Sequence, residues 1–169
     1  MKVTNTHYYF FRHQFGQWTM RDIVDNDGIE YNCCEQYMMF QKAMLFDDFH
    51  LANEILDEHD PYKQQQLGRN VGHFNQHIWD QYKIEIVRNG NILKFTQHED
   101  LKKRLLETGN RVLVEANPKD SIWGVGLDCY DPRILNDMLW RGQNLLGIVL
   151  MSVRDSLKRT SKINRDELL

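Results

Sequence analysis

Glu35 and Lys42 stand seven residues apart, two helical turns, so a carboxylate and an amine project from nearly one face. Met38 and Met39 lie between them. A solvent-facing helix interleaves its charges more freely than this. A carboxylate so placed can activate water or stabilise a developing cation. An amine can hold a phosphate or, once desolvated, attack an aldehyde to form a Schiff base. Pattern alone favours plainer duties: Glu35 as the capping residue of its helix, and Lys42 snorkelling to water. A second group, Asp120-Ser-Ile-Trp123-Gly124-Val-Gly126, falls in a loop after a strand. It sets an acid beside an aromatic plane and glycines that admit close backbone approach. Against that, Trp123 as a core anchor and Asp120 as a turn-former weigh about evenly.

Single residues add less. Trp79 reads as a surface anchor or as one wall of a pocket, and Glu115 points either into a site or to water. Gly147 lowers helix propensity by roughly 1 kcal/mol relative to Ala, which close packing explains. Arg154, seven residues on, defaults to a solvated side chain.

The elements that must position these residues are mostly helical. Asn32 followed three residues later by Glu35 resembles a capping box, opening a helix that carries Tyr37, Met38, Met39, Phe40 and Met44. A break near Asp47-Asp48 leads into Phe49, Leu51, Ile55 and Leu56, and Asp60-Pro61 ends that stretch. Residues 62–67 predict a short helical turn stopped by Gly68. Phe74, Ile78, Tyr82 and Ile86 recur every four residues until Asn89-Gly90, leaving Trp79 off that row. Residues 98–107 form another helix, and the last begins near Asn144 with Leu146, Val149, Leu150, Val153 and Leu157 on one face. Only Arg111-Val-Leu-Val-Glu115 reads as strand, and Asp25-Asn-Asp-Gly28 predicts a short peripheral hairpin in the partly alternating first thirty residues.

Composition bounds the rest. The chain has 169 residues, 41% hydrophobic and 27% charged, the balance of one ordered globular domain. Its net charge of −3 gives no general pull toward nucleic acid or anionic membrane, though a local basic pocket for one phosphate is compatible with it. No apolar run of eighteen residues suggests a membrane span, and the N-terminus lacks a secretory pattern. Cys33, Cys34 and Cys129 show no zinc or disulfide spacing, which predicts reduced thiols and a cytoplasmic protein. His73 and His77 share a helix face without a third ligand, so neither metal nor cofactor is expected.

Four blocks in order resemble one family. Glu35-Gln-Tyr-Met-Met-Phe-Gln-Lys42-Ala is similar to the E-H-x-x-Q-A-x-K segment of the NADAR, or YbiA-like, family. Trp79, Lys94-Phe95-Thr-Gln and Leu106-x-Thr108-Gly109 follow in that family's order. Glu115-Ala-x-x-x-Asp120-x-x-Trp123-Gly124-Val-Gly126 resembles its E-A/S-x-x-x-D-x-x-W-G-x-G signature. Asn144-x-Leu146-Gly147-x-x-Leu150-Met151-x-Val153-Arg154 resembles its C-terminal block. The likeness runs from about Phe11 to Arg154 and departs twice. Phe11-Arg-His13-Gln14-Phe15 stands where the family has F-x-S-N-F/W, and Gln36 replaces the His after the glutamate. Both departures bear on substrate identity more than on reaction type.

The resemblance implies a mainly α, compact single-domain YbiA-like fold with a small β-hairpin element. The family domain is expected at residues 1–159, and the charge of residues 160–169 predicts a fraying tail. The resemblance also implies an N-glycosidase acting on a bond to ribose. The substrate is either a ribosylated base nucleotide of the riboflavin-pathway type or an ADP-ribosyl guanine adduct in nucleic acid. Glu35, Lys42 and Asp120 would be catalytic, with Phe11, Trp79, Glu115, Trp123 and Gly124 contacting substrate. The alternatives are a non-catalytic module binding ADP-ribose or a related nucleotide, and an interaction protein that keeps only the core.

Overall fold

Hydrophobic periodicity places most of the chain in helices, and the computed structural model, which describes residues 1–166 with side chains through Thr160, is mainly helical. The described elements are β1 (Lys2–Val3), β2 (His7–Phe10), β3 (Ile23–Val24), β4 (Glu30–Tyr31), α1 (Cys34–Leu45) and α2 (Phe49–Asp57). Then come α3 (Pro61–Arg69), α4 (Gln76–Gln97), α5 (Glu99–Glu107), β5 (Val112–Glu115) and α6 (Leu145–Asp166). Two 3-10 turns, Pro132–Leu135 and Asp137–Leu139, precede α6. The chain groups into two units: Met1–Gly16 together with everything from His98 onward, and Gln17–Gln97. No described helix is long and apolar enough to cross a membrane.

In the first unit the predicted strand β5 pairs in parallel with β2, Phe10 lying opposite Glu115, and β1 adds antiparallel to β2. Local pattern does not reveal β2, because its partner lies about a hundred residues away. Tyr9, Phe10, Leu113 and Val114 are buried. Helix α6 lies against β5 at Gly147, where any Cβ would overlap the Leu113 carbonyl oxygen. This is the close packing its glycine implies. Asn144, at a left-handed φ of 55° that asparagine tolerates, spans the strand: its Oδ1 accepts from Glu115 N at 3.0 Å and its Nδ2 donates to Leu113 O at 2.9 Å. Arg154 is not solvated. It is buried, donating from Nη1 to Thr108 Oγ1 at 2.8 Å and Arg111 O at 2.9 Å, and burial lowers its pKa. Helix α6 continues past Thr160 to Asp166, and the last three residues of the expected tail, 167–169, lie outside the described residues.

In the second unit the hairpin forms as its Asp-Gly predicts, Ile23 opposite Tyr31, with Gly28 at φ 81°. Helix α1 packs against α2, α3 and α4, so its residues from Cys34 to Phe40 are buried. The break at Asp47-Asp48 is present: Asp48 caps α2 by accepting from Leu51 N at 3.2 Å and also takes Gly72 N at 2.8 Å.

Three expectations fail here for packing reasons. Gly68 lies inside α3 rather than ending it, because a side chain there would strike Met39 Sδ. Gly90 likewise lies inside α4, where a Cβ would sit 2.7 Å from Tyr37 Cδ1. Helix α4 also buries a different face from the one expected. Phe74 just before it, and Ile78 and Tyr82 on it, are 42%, 37% and 50% exposed, while Trp79, Val87, Asn91, Lys94 and Phe95 turn inward.

Candidate active site

The capping box proposed at Asn32 and Glu35 does not form as read. The residue that reaches back is Gln36, one position later: its Oε1 accepts from Asn32 N at 2.7 Å. Its Nε2 donates to the carbonyls of Ile55 at 2.9 Å and of Leu56 and Glu58 at 3.0 Å, closing the C-terminal end of α2. Glu35 instead anchors through its backbone N, which donates to Gln17 O at 3.0 Å, and its side chain is 2% exposed. The capping duty that would have explained this carboxylate therefore belongs to its neighbour.

Lys42 does not snorkel. Its Nζ donates to Gly68 O at 2.7 Å and sits 4.4 Å from the Phe74 ring centroid and 5.5 Å from that of Trp79. Burial, and then the charge of Arg69, hold its pKa below the ordinary lysine value. Trp79 is thus the wall under an ammonium. Glu35 lies two turns earlier on α1, about 10 Å along the axis, so the charge acting on Lys42 is Arg69 rather than Glu35.

Near Glu35 a different cation is felt. Lys94, on α4, is fully buried. Cys34 Sγ donates to Gly90 O at 3.5 Å, one helical turn before Lys94. Burial pushes the Cys34 thiol up to about 11, with Lys94 pulling it down and Glu35 pushing it further up. The sequence contains Lys94 inside a motif block, yet nothing in its spacing distinguishes a buried lysine from a surface one.

In the first unit, the C-terminal ends of β2 and β5 bring the other candidates together. Ala116 N donates to Phe10 O at 2.7 Å, setting Phe11 level with the residues after Glu115. Glu115 is buried, and Phe11 is half-buried with the Arg12 guanidinium 5.3 Å from its ring centroid. The following loop returns to the strand as Val125 N donates to Glu115 O at 3.0 Å. Asp120 shapes that loop: its Oδ1 accepts from Ile122 N at 2.9 Å and Trp123 N at 2.8 Å. Gly124 is needed there, since a Cβ would lie 2.9 Å from Glu115 O and 3.0 Å from Asp120 O. Trp123 stays half-buried.

A family model described as the NADAR domain matches residues 2–158. The chain belongs to the NADAR family. It is 45% identical over 147 residues to N-glycosidase R617 of Acanthamoeba polyphaga mimivirus, covering 85% of this chain and 86% of that one. A riboflavin biosynthesis protein of Vibrio vulnificus is 32% identical over 125 residues, which span 74% of this chain but 31% of that protein. The solved structure of E. coli YbiA superposes with a TM-score of 0.75 at 25% identity, covering 94% of this chain and 89% of that one. This NADAR chain therefore stands among N-glycosidases.

Its two departures from the NADAR pattern now have places. Gln36 is committed to the end of α2. Gln14 accepts from Arg104 Nη1 at 2.6 Å and, with His13, Tyr8 and Arg111, lines a cavity of about 650 Å³ within the first unit. Burial, followed by nearby positive charge, lowers the His13 pKa.

Proposed function

We propose that this NADAR protein hydrolyses the N-glycosidic bond between ribose and a base in a phosphorylated ribosyl compound. The observation that carries this reading is the buried carboxylate of Glu35, relieved of capping by Gln36, on the same helix as an ammonium held against two aromatic rings. Cleaving the bond builds positive charge at the sugar carbon. Glu35 takes a proton from water as the water oxygen bonds to that carbon. The carbon–nitrogen bond breaks, its electron pair leaves on the base nitrogen, and the proton held by Glu35 passes to that nitrogen, restoring the carboxylate. The products are a ribose phosphate and the free base.

In this reading Lys42 acts as a cation. A carbonyl acceptor and two aromatic faces suit an ammonium better than a neutral amine. Trp79 stiffens that ammonium and supplies an aromatic wall. Within the first unit Asp120 keeps Trp123 and Gly124 in place, with Glu115 buried at the end of β5. The substrate taken here is a free ribosylated pyrimidine nucleotide rather than an ADP-ribosyl guanine adduct, a choice in keeping with a relative named for riboflavin biosynthesis, of which the match spans 31%.

The test is mass-spectrometric turnover of a ribosylamino-pyrimidine phosphate and of an oligonucleotide carrying ADP-ribosyl guanine, comparing wild type with Glu35→Gln. Loss of a positioned acid–base group lowers the rate roughly 10²–10⁴-fold. Release of pyrimidine by the wild type, lost in the variant with the fold intact, is the expected result. A full-rate Glu35→Gln protein removes Glu35 from the chemistry. Ligand-induced thermal stabilisation with no product from either compound makes the protein a nucleotide-binding module instead.

A further inference from the structure

Lys42 and Arg69 meet through one peptide group. Lys42 donates to the carbonyl of Gly68, and Arg69 is the next residue, exposed in the last turn of α3. Its guanidinium reaches only neutral amide oxygens of its own helix, Gln65 Oε1 at 3.3 Å and Gln66 Oε1 at 3.4 Å. Three other cations of the same unit have carboxylates near them: Lys63 has Glu58 at 3.8 Å, Lys83 has Asp80 at 2.5 Å, and Arg88 has Glu85 at 3.9 Å. Among the described residues no carboxylate lies within 4.0 Å of the Lys42 or Arg69 cation, and the charge that Lys42 feels is the like charge of Arg69.

Two adjacent cations without an acid repel each other, and their arrangement suits a group carrying more than one negative charge. The C-terminal end of α3 attracts a cation through its carbonyls, which accounts for one of the two but not both. Their chemistries are complementary. Lys42 is a point charge fixed by a carbonyl and two rings, while Arg69 offers a planar fork whose remaining donors match phosphate oxygens. Phe74, which lies under the Lys42 ammonium and is 42% exposed, leaves an aromatic surface open beside them.

We propose that Lys42 and Arg69 form a seat for a phosphate ester on ribose, and that Arg69 sets the preference for phosphorylated over unphosphorylated ribosyl substrates. Its bearing on catalysis rests on the N-glycosidase reading, whereas the seat itself is testable by binding alone. The probes are ribose 5-phosphate and ribose, titrated calorimetrically into wild type, Arg69→Met, Arg69→Lys and the control Lys63→Met. Arg69 is exposed, so its replacement leaves the packing of α3 intact.

Wild type is expected to bind ribose 5-phosphate more tightly than ribose. Arg69→Met should weaken that binding roughly tenfold or more, the worth of a charge-assisted hydrogen bond. Arg69→Lys should recover part of it, and Lys63→Met should match wild type. Equal affinity of the wild type for both sugars, or undiminished ribose 5-phosphate binding by Arg69→Met, overturns the proposal. ADP-ribose in a parallel titration separates sources: tighter, Arg69-dependent binding there identifies a pyrophosphate rather than a monoester as the occupant of the same seat.

Turnover is read separately, as the ratio of kcat/KM for a ribosylamino-pyrimidine phosphate to that for its dephosphorylated form. Arg69→Met should lower this ratio by the factor seen in binding, mainly through KM. A protein that binds ribose 5-phosphate through Arg69 yet cleaves neither compound keeps the seat and removes the N-glycosidase reading.

Discussion

Replacing Gln36 with leucine tests whether one amide couples the start of α1 to the end of α2. Leucine fills similar volume but supplies no polar atom. The Asn32 N–H and the Ile55 and Leu56 carbonyls would then lose the partner they have in Gln36, whereas Glu58 O keeps its bond from Gln64 Nε2 at 2.7 Å. Each buried polar group left unmade costs about 1–3 kcal/mol, and water reaching the half-buried ones brings the total to about 2–5 kcal/mol. For a chain of this size that is a fall in Tm on the order of 5–15 °C. The assay is urea unfolding followed by circular dichroism, with turnover measured on the folded protein. Because Gln36 adjoins Glu35, kcat should fall beyond what the unfolded fraction explains. Gln36→Glu adds a check on sign. Its carboxylate would face the α2 carbonyls, so its folded-state pKa lies above the unfolded value and the variant gains stability as pH falls through it. A Gln36→Leu protein within about 0.5 kcal/mol of wild type would refute the reasoning, since surface substitutions alone span that range.

Lys42, with its pKa held below the ordinary lysine value, should lose its charge at lower pH than a free lysine. Ribose 5-phosphate affinity would then decline as pH rises through that lowered pKa. Stability moves oppositely: the unfolded chain binds more protons in that window, so it rises with pH, which a pH series of binding and unfolding separates. Borohydride added during turnover should trap no adduct on Lys42, and a trapped peptide would assign it the Schiff-base role. Gly147→Ala, whose methyl would overlap Leu113 O and sit 2.5 Å from Asn144 Nδ2, should cost about 3 kcal/mol in urea despite better helix propensity; a stabilised variant would contradict the packing described. Cys33 and Cys34 are buried with thiols pushed up to about 12 and about 11, so neither should react with a thiol reagent at pH 8 until the chain unfolds.

Much of the architecture is legible locally. The Val112–Glu115 strand, the Asp-Gly hairpin, the break at Asp47-Asp48 and the apolar face of α6 follow from patterns within a few residues of each position. What escaped depends on a distant partner. A helix-stopping glycine and a helix-packing glycine look alike until Met39 or Tyr37 is found beside them. The same holds for α4, whose four-residue apolar row is exposed because the buried face is chosen by α1. At the candidate site, the motif blocks drew attention to Glu35 and Lys42 and contained Gln36 and Lys94, but nothing local told what Gln36, Arg69 or Lys94 would have around them. An amide that caps another helix, a guanidinium beside a second cation and a buried ammonium are defined by what surrounds them.

Asn144 has a consequence for solubility. A sheet grows when a new chain presents amides and carbonyls to a bare strand, and β5 would be the natural place on this one. Asn144 already occupies Glu115 N and Leu113 O on that border, acting as a one-residue surrogate for a fourth strand. The opposite border is β1, only two residues long and too short to template much pairing. Val125 N takes Glu115 O on the same border, so one side-chain amide and one returning loop leave three strands rich in tyrosine, phenylalanine and valine little to offer a new strand.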